Sequence, residues 1–561
     1  MNNESTILDS KVKILSDYLS ELQGKISSAT QVMVTAGDWA HQVLYNEHCQ
    51  IFNRRFQEKP WAIVYCGHAK DVQITYKLAM AMNLPVRIRA GGHDHEGECT
   101  GTNTILIDVS RMDTVKVNDK GLATIGPGNI FKNLTTKLAD KDVMIAHGTC
   151  ATVGISGFIM GGGWGPWTRK HGMCCEWLMG ADLVLGDGST VSVDAEGANV
   201  PDLLWALRGG GAMSYGLVTE FRIQTFVLPP KLIRFHLNWN LYKPKDSDQP
   251  ECNHPTIKVL QAWEAAIESD QTSQLIGTNL QINAKPAGDQ PFNKDTVCHN
   301  CRMYGYWEGD WDSLNTFIQE WFTDKGVKPD EVCDDGEGGS DSNEVYGENL
   351  MSNWARESFN PILKARHERG EDLLAHPEHK QLLLQGKPLP PDFDDPAPHK
   401  ITSRLVEPQG LGDDGYEALL QSLTSDLLLD GNRKLGLMSY VTLGAIVGDY
   451  YRENPKGGDS SFPYKQMLYT IQYQTWWNTH ECEVKERQNN KVYNRTNRAL
   501  DWMEVARDYD IPNTSGAFIS FKDSSIPTRT YFAQNYDKLV EIKENFVKDP
   551  FNHLRIRKSI I

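Results

Sequence analysis

The residues of this chain best suited to chemistry lie between positions 89 and 165. Arg89-Ala90-Gly91-Gly92-His93-Asp94-His95-Glu96-Gly97 places two adjacent glycines directly before a histidine. Such a pair lets the backbone come close to a ligand and turns amide N–H groups toward a pyrophosphate, with the histidine ring near its headgroup. The same residues would also make a plain turn with a solvent-facing histidine. A second segment runs His147-Gly-Thr-Cys150-Ala-Thr-Val153-Gly154-Ile-Ser-Gly157-Phe-Ile-Met-Gly161-Gly162-Gly163-Trp-Gly165. Its glycine content suits close backbone contact more than core packing, although a lone buried cysteine is usually inert. Leu207-Arg-Gly-Gly-Gly211 followed by Tyr215-Gly-Leu-Val218-Thr219 repeats the theme. None of the three loops carries a dinucleotide or P-loop pattern in the right context, so together they suggest a long cofactor lying across several turns.

The elements that must position these loops follow from periodicity. PWAIVYC reads as a strand, AKDVQITYKLAMAMN as a helix, and LPVRIRAGG and TNTILIDVS as strands, an α/β unit with the Gly-Gly corner at a strand end. DTVKVN, LATIGP and DLVLGDGSTVSVD follow as short strands, the last a hairpin turning at Asp187-Gly188. From about residue 230 the pattern changes to LIRFHLNWNLY, IGTNLQINAKP, CRMYGYWEGDW, LGLMSYVTLGAIVGDY and QMLYTIQYQTWW, strands of an antiparallel sheet interspersed with helices such as HPTIKVLQAWEAAIE. Residues 325–345 and 370–400 read as surface loops or an insertion. At the N-terminus Ile7, Val12, Leu15, Leu19 and Leu22 recur at helical spacing.

RAGGHDHEG, HGTCATVGISGFIMGGGWG, DLLWALRGGG with YGLVT, and the terminal YFAQNYDKLVEIKENFVKDPFN resemble, in this order, the berberine-bridge-enzyme-like FAD-linked oxidases of the vanillyl-alcohol-oxidase and p-cresol-methylhydroxylase superfamily. The resemblance runs from about residue 55 to the C-terminus. It implies an α+β fold: an FAD-binding domain of the p-cresol-methylhydroxylase type in two subdomains (residues 1–228, completed by 511–561) and a substrate domain (229–510) with an antiparallel sheet backed by helices. It also implies FAD bound covalently through His93 (flavin 8α-methyl) and Cys150 (C6). Arg89, Ala90, Gly91, Gly92, Asp94 and His95 would wrap the pyrophosphate, Gly154, Gly157, Gly161, Gly162 and Gly163 would line the flavin, and Val218 and Asn535 would sit near the flavin and its ribityl chain. Two such links make the flavin a stronger oxidant and place it rigidly. Val153 matches the family's oxygen-gate position, where valine resembles the oxygen-reactive members, so an oxidase producing H2O2 is expected.

The same resemblance places Phe462-Pro-Tyr-Lys-Gln-Met-Leu-Tyr469-Thr-Ile-Gln472-Tyr473 on a strand lining the active site. Alternation puts Thr470 and Gln472 on one face, Tyr469, Ile471 and Tyr473 on the other, and the Gln472 face is expected to meet substrate. Sugar-oxidising relatives carry a tyrosine pair in a segment that here reads Phe518-Ile-Ser-Phe521-Lys-Asp523, so both phenols are missing. Tyr473 is taken as the base in their place, with Tyr440 or a carboxylate of the insertion as alternatives and Gln472 orienting substrate. His95 and Glu96 would orient His93 or simply hydrate the loop. The reaction expected is oxidation of an alcohol on a sugar-like or natural-product molecule, with C–N or C–C oxidation and ring closure as the alternative.

A net charge of −16 disfavours nucleic acid and anionic membrane as partners. The expected partners are a small-molecule substrate and O2. The N-terminus has no apolar core of the secretory kind, and eleven cysteines form an odd set suited to a reducing cytoplasm. Cys174-Cys175 reads as a packing pair, because a vicinal disulfide is strained. Cys252 and His254 with Cys298, His299 and Cys301 offer zinc-ligand types at a spacing that fits no compact zinc module, so no metal is expected.

Overall fold

The computed structural model describes residues 2–35, 37–197, 201–239, 254–283, 299–338, 396–424, 437–477, 484–485, 492–493, 495–549 and 553–560. Strands Ala62–Tyr65, Ile105–Asp108 and Val86–Arg89 lie side by side in that order and in parallel, with Gln31–Val34 added antiparallel at one edge. Both flanks of the two inner strands are covered, so Ala62–Tyr65 and Ile105–Asp108 are buried at every position rather than alternating. Helix Ala69–Ala81 connects the first strand to the third, and Arg89 leads straight into the glycine corner. A five-stranded antiparallel sheet follows, ordered Val115–Val117, Leu122–Ile125, Leu217–Gln224, Leu178–Val184 and Thr190–Asp194. The Leu185 N–H to Ser189 carbonyl bond closes the hairpin at Asp187-Gly188.

The largest sheet has eight strands, all antiparallel: Glu331–Gly338, Leu232–Trp239, Cys301–Trp307, Leu275–Asn283, Leu437–Ala445, Tyr469–Trp477, His399–Val406 and Thr514–Ser515. Its side chains alternate with a period of two, interrupted by register shifts at Arg234/Phe235 and Leu275/Gly277. Phe235, Leu237, Leu280, Ile282, Met303, Val441, Leu443, Ile471 and Tyr473 face one way, into a core shared with helices His254–Glu268, Trp311–Ile318, Gly412–Leu423 and Arg495–Asp508. The opposite face is polar and looks toward the glycine loops. The chain then returns: Phe518, Ile519, Tyr531, Phe532, Leu539 and Leu554 pack into the core of the first two sheets.

Two expectations change here. Glu331–Gly338, inside the stretch read as loop, is an edge strand paired along Leu232–Trp239; its Asp- and Gly-rich composition masks a strand held by backbone pairing. In the N-terminal helix Asn2–Gln23, Leu22 and Tyr18 are buried but Val12 is 62% exposed, so Val12 is not on the packed face, and the side chain of Ile7 lies outside the described residues. Residues 339–395, which hold most of the supposed insertion, and Cys252 and Cys298 lie outside the described residues. Among the described residues no helix is long and apolar enough to cross a membrane, and no cluster of His, Cys, Asp and Glu could hold a metal.

Candidate active site

The glycine corner after Arg89 and the loop around Cys150 touch backbone to backbone. A Cβ on Gly91 would lie 2.5 Å from the Gly154 amide nitrogen, and one on Gly154 would lie 2.7 Å from the Gly91 nitrogen. Only glycine at both positions allows this approach. It brings His93 and Cys150 to the same hydroxyl: Thr152 Oγ1 lies 2.8 Å from His93 Nε2 and 3.6 Å from Cys150 Sγ. Phe52 stacks on the His93 ring at 3.9 Å between centroids, fixing its plane. Imidazole and thiol stand in the wall of a cavity of about 910 Å³ that runs between the glycine loops and the polar face of the eight-stranded sheet.

Ala90, Gly91, Gly92, Asp94, His95, Val153, Gly154, Gly157, Gly161 and Val218 line that cavity with the two anchors, as do Gln472 and Tyr440. Five other candidates are placed elsewhere. Arg89 is fully buried beneath the loop, with Nε 2.6 Å from Asp108 Oδ2 and further bonds to the His48 carbonyl and Tyr65 hydroxyl; it pairs with a carboxylate of its own sheet instead of a pyrophosphate. Gly162 packs against Phe462 and Phe518, and Gly163 against Cys174 and Phe158. Asn535 Nδ2 donates to the Ser461 carbonyl and does not reach the cavity. Tyr473, taken as the base, lies on the helix side of its strand, with its hydroxyl 2.8 Å from Ser422 Oγ and its ring against Trp502. Burial pushes that phenol up to about 12. The alternation that brings Gln472 into the cavity takes Tyr473 out of it. Cys174 and Cys175 are buried free thiols, both pushed up by burial.

Sequence reasoning missed most of the sheet wall. Asn279, Gln281, Thr442, Gln474, Trp476, His236, Asn238, Arg302 and Tyr304 all face the cavity. Extending the Gln472 alternation two and four residues along the strand would have found Gln474 and Trp476. The Gln474 carboxamide is held in place: its Oε1 accepts from the Tyr440 hydroxyl at 3.0 Å and from Trp476 Nε1 at 3.2 Å, while its Nε2 donates to Thr442 Oγ1. Phe518 and Phe521 stand in the same cavity wall, ring against ring.

A buried ionic layer ties the anchor loop to the sheet and the C-terminal segment. Lys400 Nζ bonds Glu96 and lies 2.7 Å from Asp523 Oδ1; Arg55 and Arg557 also meet Glu96. Lys522 Nζ donates to Asp94 Oδ2 at 2.6 Å. Burial pushes the Asp94 carboxyl up, but Lys522 and the Glu98 N–H outweigh it and hold it below the ordinary carboxylate range. A depressed carboxyl contributes stability that is present above its unfolded value, about 3.9, and is lost as pH falls through the folded one. Lys522→Met should therefore be less stable than wild type by a constant margin from pH 5 to 7, a margin that shrinks below about pH 4. Thermal unfolding across that range checks it; an unchanged margin at pH 3 would contradict the pairing.

Residues 60–194 match the family described as an FAD binding domain, and residues 517–561 that described as berberine and berberine like. The chain is 34% identical to glucooligosaccharide oxidase of Sarocladium strictum over 238 residues, 42% of this chain and 44% of that protein, so this alignment spans less than half of the relative. It is 23% identical over 542 residues to berberine bridge enzyme-like 1 of Arabidopsis thaliana, covering 91% of this chain and 85% of the relative. In structure it superposes on a glucooligosaccharide oxidase from Acremonium strictum that carries a 6-S-cysteinyl, 8α-N1-histidyl FAD, with a TM-score of 0.70 at 19% identity over 96% of this chain and 98% of the other. At that identity the likeness is one of fold.

Proposed function

Since this chain belongs to the berberine-bridge-enzyme-like FAD-linked oxidoreductases of the p-cresol-methylhydroxylase superfamily, we propose that it is an oxidase that holds FAD covalently at His93 and Cys150 and oxidises an alcohol carbon of a carbohydrate-like substrate at the expense of O2. The carrying observation is the meeting of His93 and Cys150 at Thr152 in a cavity whose opposite wall is a sheet face of amides and hydroxyls.

The residues present fit the cofactor. The Gly91–Gly154 contact forms a backbone cradle that a single Cβ would block, and an imidazole and a thiol are the nucleophile types such linkage needs. Ala90 to Asp94 would follow the pyrophosphate, while Gly154, Gly157 and Gly161 would face the ring system. When bound, the flavin supplies acceptance of a hydride and delivery of two electrons to O2.

The protein's own part is binding and orientation. Gln472, Gln474, Gln281, Asn279 and Thr442 offer donors and acceptors on adjacent strands, with Trp476 and Phe52 as apolar surfaces beside them. Fixed amides matched to hydroxyls discriminate strongly, because a substrate lacking the hydroxyl leaves them unpaired. Asp94 is neutralised by Lys522, which favours a hydroxylated substrate over a cationic amine. Val153, beside Cys150 in the cavity wall, supports O2 as electron acceptor through its resemblance to the family's gate position.

Intact mass of the denatured protein tests the attachment. One FAD should be retained by wild type, His93→Ala and Cys150→Ala, and lost from the double variant. A denatured wild type without flavin sinks the proposal. Oxygen uptake and H2O2 release with glucooligosaccharides test the substrate class.

A further inference from the structure

With Phe518 and Phe521 in place of phenols and Tyr473 on the far side of its strand, alcohol oxidation lacks an evident proton acceptor. The titratable groups around the anchors narrow the choice. Asp94 is held by Lys522, which is itself a cation. Glu98 accepts from the Arg557 N–H and guanidinium. The Tyr440 hydroxyl donates to Gln474. On the anchor loop itself His95 remains: it lines the cavity, half-buried, two residues after the anchor His93 and 6.4 Å from the Phe521 ring, beside the position where a phenol is missing.

Its hydrogen bonds settle which nitrogen is basic. His399 Nδ1 lies 2.9 Å from the Ala397 carbonyl, which can only accept, so His399 is protonated at Nδ1. His399 Nε2 is then an acceptor, and the His95 Nδ1 that lies 3.0 Å from it must donate. In neutral His95 the lone pair is therefore on Nε2.

Resting on the alcohol-oxidase reading above, we infer that His95 is a catalytic residue whose Nε2, set as the accepting nitrogen by the Ala397–His399–His95 chain, takes the hydroxyl proton of the substrate. As the substrate C–H electron pair leaves as hydride to the flavin, the O–H bond breaks toward Nε2 and the carbonyl forms. O2 then takes the two electrons with the hydride hydrogen and the His95 proton, leaving as H2O2, and His95 is neutral again.

The surroundings support this cycle. Burial pushes the imidazole down to about 4, so it rests unprotonated at neutral pH. Asp94 and Glu96 on its own loop favour the imidazolium once formed, against Lys400 and Lys522 from the sheet and the C-terminal segment. His399 faces it directly, with His93, Arg55 and Asp523 in the surrounding layer.

The test uses the flavin-loaded enzyme and His95→Gln, in which glutamine can still donate to His399 but cannot take a proton; His95→Ala is the second variant. Anaerobic flavin bleaching by glucooligosaccharides and xylooligosaccharides should slow by about 10²–10⁴-fold in both, with substrate Kd little changed and covalent flavin content intact by mass. The acid limb of the wild-type rate, near pH 4, should vanish in His95→Gln. Histidine-selective 15N spectra of the oxidised wild type should show His95 protonated at Nδ1 only, a signature lost in His399→Ala. A loaded, reducible wild type matched in rate by His95→Gln, or a His95 protonated at Nε2, overturns this inference alone. A wild type that carries no covalent flavin, or that none of the probes reduces, overturns the oxidase reading and this inference with it.

Discussion

Gly154→Ala is expected to cost the protein at least one of the two flavin bonds proposed at His93 and Cys150. The added methyl would stand 2.7 Å from the Gly91 nitrogen and 3.2 Å from its Cα, well inside contact distance, and neither atom belongs to a flexible side chain. The loops must separate, and that movement pulls His93 and Cys150 apart, because each is placed by its own loop and they meet at Thr152. Covalent chemistry tolerates little misplacement; a shift of about 1 Å can cost 10²-fold in rate. Intact mass of the denatured variant should show an unflavinylated population. Gly157→Ala separates this clash from a general loss of fold, since a Cβ there meets nothing within 4 Å. The unfolding temperature of flavin-free Gly157→Ala should match that of flavin-free wild type. A fully flavinylated Gly154→Ala would show that the backbone contact does not set the anchors.

Arg89→Met is expected to destabilise the protein by about 3–5 kcal/mol, the usual cost of removing one partner from a buried ion pair. Arg89 and Asp108 are both fully buried, and the guanidinium also serves the His48 carbonyl and the Tyr65 hydroxyl. Without it the Asp108 carboxylate keeps its bonds from Ser110 but has lost its counter-charge. A pyrophosphate contact would behave differently, weakening flavin uptake at nearly unchanged stability. Urea or thermal unfolding of the flavin-free protein separates the two outcomes. Arg89→Met with Asp108→Leu should recover part of the loss, because no charge is then stranded.

Much of the site is legible along the chain wherever the signal is local. Adjacent glycines ahead of His93, the glycine-rich run around Cys150, and the alternation that turns Gln472 away from Tyr473 are all written in neighbouring residues, since backbone freedom and side-chain direction depend on neighbours. The same alternation turns Tyr473, taken as the base from the sequence, out of the cavity, and the structure places it against Ser422 and Trp502. Local signals also gave the helices Asn2–Gln23, Ala69–Ala81 and His254–Glu268 and most of the strands. They missed the strand Glu331–Gly338, whose composition carries no apolar period and whose stability comes from pairing along Leu232–Trp239.

What tertiary structure alone decided is which polar groups meet. Arg89 looks like a ligand-binding arginine in sequence because its Asp108 partner sits on a neighbouring strand. Nothing near His95 announces His399, 304 positions away, or nearby Lys400 between Glu96 and Asp523. Asn535 is spent on the Ser461 carbonyl. Glycine content and periodicity are properties of a segment and survive in a one-dimensional reading. Charge pairing, tautomer and burial depend on partners from distant segments, and only the folded chain brings those together.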